Sequence, residues 1–92
     1  MDTKVNIINL ASDVNRYRIL VYFSHHSPCH IKDIKIDKLK YGAVRKHVEA
    51  LIEANLIYKE FGQFGMTKLG TLVLNKIRDL VKEMYLLTDF ER

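Results

Sequence analysis

Residues 25–30 of this 92-residue chain read His-His-Ser-Pro-Cys-His, which puts three imidazoles and the only thiol within six positions. Imidazole nitrogen and thiolate sulfur are the ligands zinc prefers, but a site needs three or four of them converging on one point. His26, Cys29 and His30 can converge, whereas His25 points elsewhere if the residues before the proline are helical. A lone thiol also permits a disulfide between two chains. The plain structural alternative is a turn after a helix, where the helix dipole favours histidine at the C-terminal end on its own. That alternative is the expectation here, with no metal and no cofactor held.

The second chemically suggestive set is basic. Residues 28–47 hold six bases (Lys32, Lys35, Lys38, Lys40, Arg45, Lys46) against two acids (Asp33, Asp37), a net +4. Residues 1–27 are net +1 and residues 48–92 net −1, so the whole excess of +4 falls in one 20-residue stretch. Clustering of this kind is the electrostatic footprint of a nucleic-acid contact; the bland alternative is a solvated lysine-rich face. No carboxylate pair, nucleophile–base constellation or glycine-rich phosphate loop is visible, so the chain is not expected to be an enzyme.

The elements that must carry these residues fit one small domain, residues 1–92. At 48% hydrophobic and 28% charged, with four Gly and one Pro, the composition is globular and argues against disorder. No apolar run approaches the roughly 20 residues of a membrane span, and the N-terminus, MDTKVNIINL, lacks the pattern of a secretory signal. A single cysteine suits a reducing interior, so the expected location is cytoplasmic, with no membrane partner.

Ser12 or Asp13 can cap a first helix through VNRYRILVYFSHH, with Val14, Tyr17, Leu20 or Val21, and Ser24 at helical spacing and Ile19 and Phe23 widening the face. Ser27-Pro28 reads as the start of a short second helix over CHIKDIK. A third helix is expected from about Tyr41 to Asn55, burying Val44, Val48, Leu51 and Ile52. Gly42, Ala43, Lys46, Glu49, Ala50 and Glu53 then face outward, Arg45 and His47 flank that side, and Asn55 can close the helix in a left-handed conformation. LIYKEFGQFGMT reads as a hairpin turning at Gly62-Gln63, with Gly65 a bulge or a close approach. Thr67 can cap a long last helix over about 68–89. Its stripe of Leu69, Val73, Ile77, Leu80, Val81, Met84 and Leu87, extended by Leu72, Leu74 and Tyr85, is roughly twice as wide as one packed face needs. A second copy of the same helix is the simplest cover for the surplus; the first helix of the same chain is the alternative.

The fold class expected is thus mainly α with a small β-hairpin, and the residues themselves resemble a known family. "RYRILVYF" is similar to the first helix of ArsR- and MarR-type regulators, "KYGAVRKHVEALIEANLI" to their recognition helix and following strand, and "FGMTKLGTLVL" to their wing exit, where Thr and Gly open the final helix. The similarity covers about residues 13–75, and the long apolar C-terminal helix resembles small archaeal winged-helix proteins that dimerise through an antiparallel coiled coil. It departs from the family at Lys40, where Ser or Thr is usual, and in a short wing whose one base, Lys59, stands beside Glu60. The resemblance implies a winged helix-turn-helix core over about 12–67 with a C-terminal dimerisation helix, binding double-stranded DNA as a homodimeric transcriptional regulator.

In that frame the third helix enters the major groove with its N-terminal end. Gly42 and Ala43 let the backbone come close, Lys46 points outward, and Arg45 and His47 reach bases or phosphates from the flanks. Lys32, Lys35, Lys38 and Lys40 suit phosphates, and Lys59 is a minor contact. Tyr41 faces the core by angle, with DNA contact as the alternative. Two further readings share the fold: an architectural protein bound by backbone contacts alone, and a module that binds another protein.

Overall fold

The computed structural model describes residues 10, 11 and 13–90, with side-chain surroundings described as far as Glu83. Ser12, one of the two expected caps, lies outside the described residues. Asp13 does the capping: its carboxylate accepts the backbone N–H groups of Asn15 (3.0 Å) and Arg16 (3.2 Å), two donors that the first turn leaves without partners. Helix α1 then runs over Val14–His26. Its buried side chains are Ile19, Leu20 and Phe23, while Val14 and Ser24 are exposed. Leu20, Ile19 and Phe23 thus form the buried face as expected, Tyr17 and Val21 are half-buried beside it, and the stripe does not reach Val14 or Ser24 at its ends.

The short helix expected over CHIKDIK is absent. Cys29 forms a β-bridge with Phe64, donating to its carbonyl (2.9 Å) and accepting from its N–H (2.7 Å). With both backbone groups engaged across the fold, Cys29 has none for a helix, and all that remains of the element is a 3-10 turn over Ile31–Asp33. Helix α2, Tyr41–Glu53, buries Val44, Val48 and Leu51, with Ile52 half-buried. Its last helical residue is Glu53, two short of the expected end, and Asn55 turns the chain out of it in the expected left-handed conformation, with φ 64°.

Strands β1 (Ile57–Glu60) and β2 (Gln63–Met66) form a two-stranded antiparallel sheet. Glu60 pairs with Gln63, so the two-residue loop is Phe61-Gly62, one position earlier than the expected Gly62-Gln63. Both loop residues have positive φ, 52° and 77°, which matches the right-handed twist of a hairpin closed by a type I′ turn. Gly65 pairs in register with Tyr58, so it marks a close approach and not a bulge. A Cβ there would overlap the Tyr58 ring.

Helix α3, Lys68–Phe90, starts at a tight junction. The Thr67 hydroxyl accepts the Gly70 N–H (2.9 Å) and donates to the Asn55 carbonyl (2.7 Å), while the Thr67 N–H donates to the Leu56 carbonyl (3.1 Å). Gly70 sits so close to the Leu56 carbonyl that any Cβ would collide with it. The described residues thus form a mainly helical chain of three α-helices and one small hairpin. Phe23, Ile19, Leu20, Leu51, Leu56, Ile57 and Leu74 are at its centre, and no polar or charged residue is among its buried ones. No described helix is long and apolar enough to cross a membrane.

Two glycines separate packing from propensity. Gly70→Ala is expected to destabilise by about 1–3 kcal/mol, because backbone must move to admit the methyl. Gly42→Ala, with nothing within 4 Å of the added Cβ, is expected to be neutral or to stabilise by up to about 1 kcal/mol. Urea denaturation followed by circular dichroism measures both, and equal losses at the two positions would contradict this account.

Candidate functional site

The outward side of α2 is built by its own periodicity. Burial of Val44, Val48 and Leu51 turns Gly42, Lys46, Glu49 and Glu53 to solvent, with Ala43 and Ala50 half-buried beside them. The helix opens at Lys40, which sits in the capping position without a side-chain hydrogen bond to the first turn. Lys32, Lys38, Lys40, Arg45 and Lys46 are all exposed. The one ion pair among the described residues is Arg45–Glu49, with Nε 3.3 Å from Oε1 and both side chains more than 60% exposed. An exposed pair of this spacing contributes little stability, but it gives the guanidinium a resting place one turn along the helix.

Tyr41 is more than half exposed, so the angle that put it toward the core misjudged the first residue of the helix. It lines a shallow groove of about 420 Å³ with Ile31, Arg45, Val48, Glu49 and Ile52 on one side and Lys59, Gly62 and Phe64 of the hairpin on the other. Helix α2 and the hairpin loop therefore flank one surface feature. Lys59 is held against the hairpin, its ammonium 5.7 Å from the Phe64 ring centroid.

His47 is turned the other way. Its Nδ1 accepts a hydrogen bond from Arg16 Nε (3.2 Å) in a half-buried position, and Arg16 also reaches the Leu10 carbonyl (3.4 Å). His47 thus joins α2 to α1 instead of flanking the outward face, and Arg16, which the sequence pattern did not single out, sets the orientation. Lys35 is also apart from the α2 groove. It lines a second groove of about 510 Å³ with Tyr17, Arg18, Tyr22, His25, His26 and Arg78; Arg18 donates to the Asp37 carbonyl there (3.1 Å).

On α3 the apolar stripe divides lengthwise. Val73 and Ile77, expected in a contact between two chains, are buried in the core of this one, and Leu69 packs half-buried against that core. Further along, Leu80 and Val81 are 49% and 43% exposed, because the helix runs on past the body that covers its first half; Leu72 is exposed to one side. Met84, Tyr85 and Leu87 lie beyond the described side chains. The surplus that the sequence presents as width is, in the described part, largely length.

The His-His-Ser-Pro-Cys-His stretch diverges. Cys29 is buried, while His25, His26 and His30 are exposed. His26 stacks on Tyr22 with centroids 4.4 Å apart, and His30 Nδ1 lies 3.3 Å from the Gly62 carbonyl. Among the described residues no three His, Cys, Asp or Glu side chains come together as metal ligands. Burial, and then the Asp33 charge, pushes the Cys29 thiol above its ordinary range, so little reactive thiolate exists there at neutral pH. Burial, followed by the charges of Cys29 and Asp33, likewise raises the Tyr22 phenol, whose hydroxyl donates to the Asp33 carbonyl (2.6 Å).

Compared with protein-family models, curated proteins and solved structures, the chain matches none.

A raised thiol and a raised phenol mean that the unfolded chain releases these protons first as pH rises. The stability they contribute is whole below the ordinary thiol range of about 8.5 and is lost as pH climbs toward the raised folded values. The melting temperature is expected to fall on the alkaline side, and Cys29→Ala is expected to flatten part of that fall. A thermal melt series across alkaline pH checks it; identical profiles for the two proteins would show that the thiol is not coupled to folding.

Proposed function

We propose that the chain is a winged helix-turn-helix transcriptional regulator that binds double-stranded DNA as a homodimer, with α2 in the major groove and the hairpin as its wing. The observation that carries this reading is the outward side of α2. Its first turn has open space over Gly42, so the backbone can approach a groove closely. Around it Lys38, Lys40 and Lys46 are exposed and free of ion pairs among the described residues. Small residues at the helix start with unneutralised bases on both sides suit phosphate positioning and base contact together. The Arg45–Glu49 pair favours a second reading, an architectural DNA-binding protein, since it engages a guanidinium otherwise available to read guanine. A specificity ratio at fixed salt separates the two.

Fluorescence anisotropy on selected and random duplexes across a salt series tests the interface. Lys46→Ala is expected to weaken binding most among the lysines. Arg45→Ala is expected to cost about 1–3 kcal/mol at one base pair and relax the preference there. Lys40→Ser is expected to weaken all sequences alike and lower the salt slope by about one, while the restored cap adds about 1 kcal/mol to the fold. Absence of duplex binding would put a protein-interaction module first.

The second half of α3 is the proposed dimer contact. The double variant Leu80→Glu with Val81→Glu is expected to sediment as a folded monomer in analytical ultracentrifugation, whereas Ile77→Glu is expected to unfold because Ile77 belongs to the core. A folded dimer from the double variant would move the interface elsewhere.

A further inference from the structure

The hairpin loop holds a side chain that its fold does not want. Phe61 has a φ of 52° at the first central position of the turn, where a bulky residue is an outlier and Asn, Asp or Gly is the usual solution. In return it gains no packing: Phe61 is 96% exposed, the most exposed of the large hydrophobic residues described. A left-handed conformation without compensating burial costs about 1 kcal/mol or more. The next residue, Gly62, lines the groove shared with Tyr41, Arg45 and Lys59. The loop that carries the ring therefore borders the proposed DNA-binding surface, whose lining includes Tyr41, Arg45 and Lys59.

We infer that Phe61 is a wedge that enters a base step of the bound duplex and unstacks it, kinking the DNA away from the inserted ring. The inference rests on the DNA-binding reading above. Its occupant follows from the groove that the loop borders: Lys59 supplies a base for a phosphate there, and an apolar side chain next to bases recovers part of the unstacking cost through contact with the base faces. A tight two-residue turn is stiff, so the backbone beneath the ring has little freedom to lose on binding. Flexible pyrimidine–purine steps open at the lowest cost, so a TA step opposite the ring is the preferred place. Selectivity would then come in part from a step that no hydrogen bond reads.

The test uses a short duplex with a TA step, a 2-aminopurine beside the step and donor and acceptor dyes at its ends. The wild-type protein is expected to raise the 2-aminopurine fluorescence and shorten the dye separation. Phe61→Asn, which suits the left-handed turn, is expected to fold with an equal or higher melting temperature. It should bind the same duplex about 5- to 150-fold more weakly, the range for losing one aromatic–base contact, and leave the DNA straight and the fluorescence low. Phe61→Trp is expected to keep both signals. Phe61→Asn that binds and bends like wild type overturns the wedge alone, as does wild-type binding with neither signal. Tighter binding to the single strand, with the same dependence on Phe61, also overturns it in favour of a stacking platform. Absence of any duplex binding by the wild-type protein overturns this inference and the DNA-binding reading together.

Discussion

The junction at Asn55, Leu56, Thr67 and Gly70 fixes the geometry on which everything else depends. Asn55 leaves α2 in a left-handed conformation, its N–H on the Ile52 carbonyl (2.9 Å) and that of Leu56 on Leu51 (2.9 Å). The two carbonyls that follow are then taken by Thr67, whose hydroxyl also caps α3. One residue thus closes the base of the hairpin and starts the last helix. Gly70 permits the contact because backbone has to pass backbone there, as glycine does wherever two chains approach closely. The angle between α2 and α3 is set at this point. The face that α2 presents and the direction in which α3 outruns the body are consequently one geometric decision.

Much of this was legible because it is local. Asp13 as a cap, Asn55 as a left-handed stop and Thr67 as a second cap are read from residue type and position, and each makes the expected hydrogen bond or adopts the expected dihedral. The bridge between Cys29 and Phe64 is not legible, since it joins residues 35 positions apart and leaves no trace in periodicity. It turns Cys29 inward and removes the short helix. It also parts the sulfur from the exposed imidazoles around it, so a row of soft ligands in sequence is not a cluster in space.

The same division runs through the candidate site. Outward Lys46 and open Gly42 follow from the helical period, whereas the inward turn of His47 depends on Arg16, a partner 31 positions away. Tyr41 is at the first position of α2, where the helix has no preceding turn to pack against, and angle alone overestimates its burial. On α3, periodicity reports which side is apolar but not where the covering body ends. Val73 and Ile77 are therefore core and Leu80 is not, although all three share the stripe.

Among the described residues, three backbone positions hold residue types that local rules disfavour, and they lie near one another in the fold. Asp13, Asn55, Gly62 and Thr67 are residue types that their backbone positions favour. Lys40 occupies a cap without a capping group, Lys38 holds a φ of 64°, and Phe61 holds a left-handed turn position in full exposure. Lys40 and Phe61 each adjoin a residue that lines the groove between α2 and the hairpin, and Lys38 lies just before that helix. Each gives up on the order of 1 kcal/mol that Ser, Asn or Gly would supply. Among the described residues these three departures lie at or next to that groove, with charge and an aromatic ring as the replacements, which accords with the proposal that this surface binds a partner.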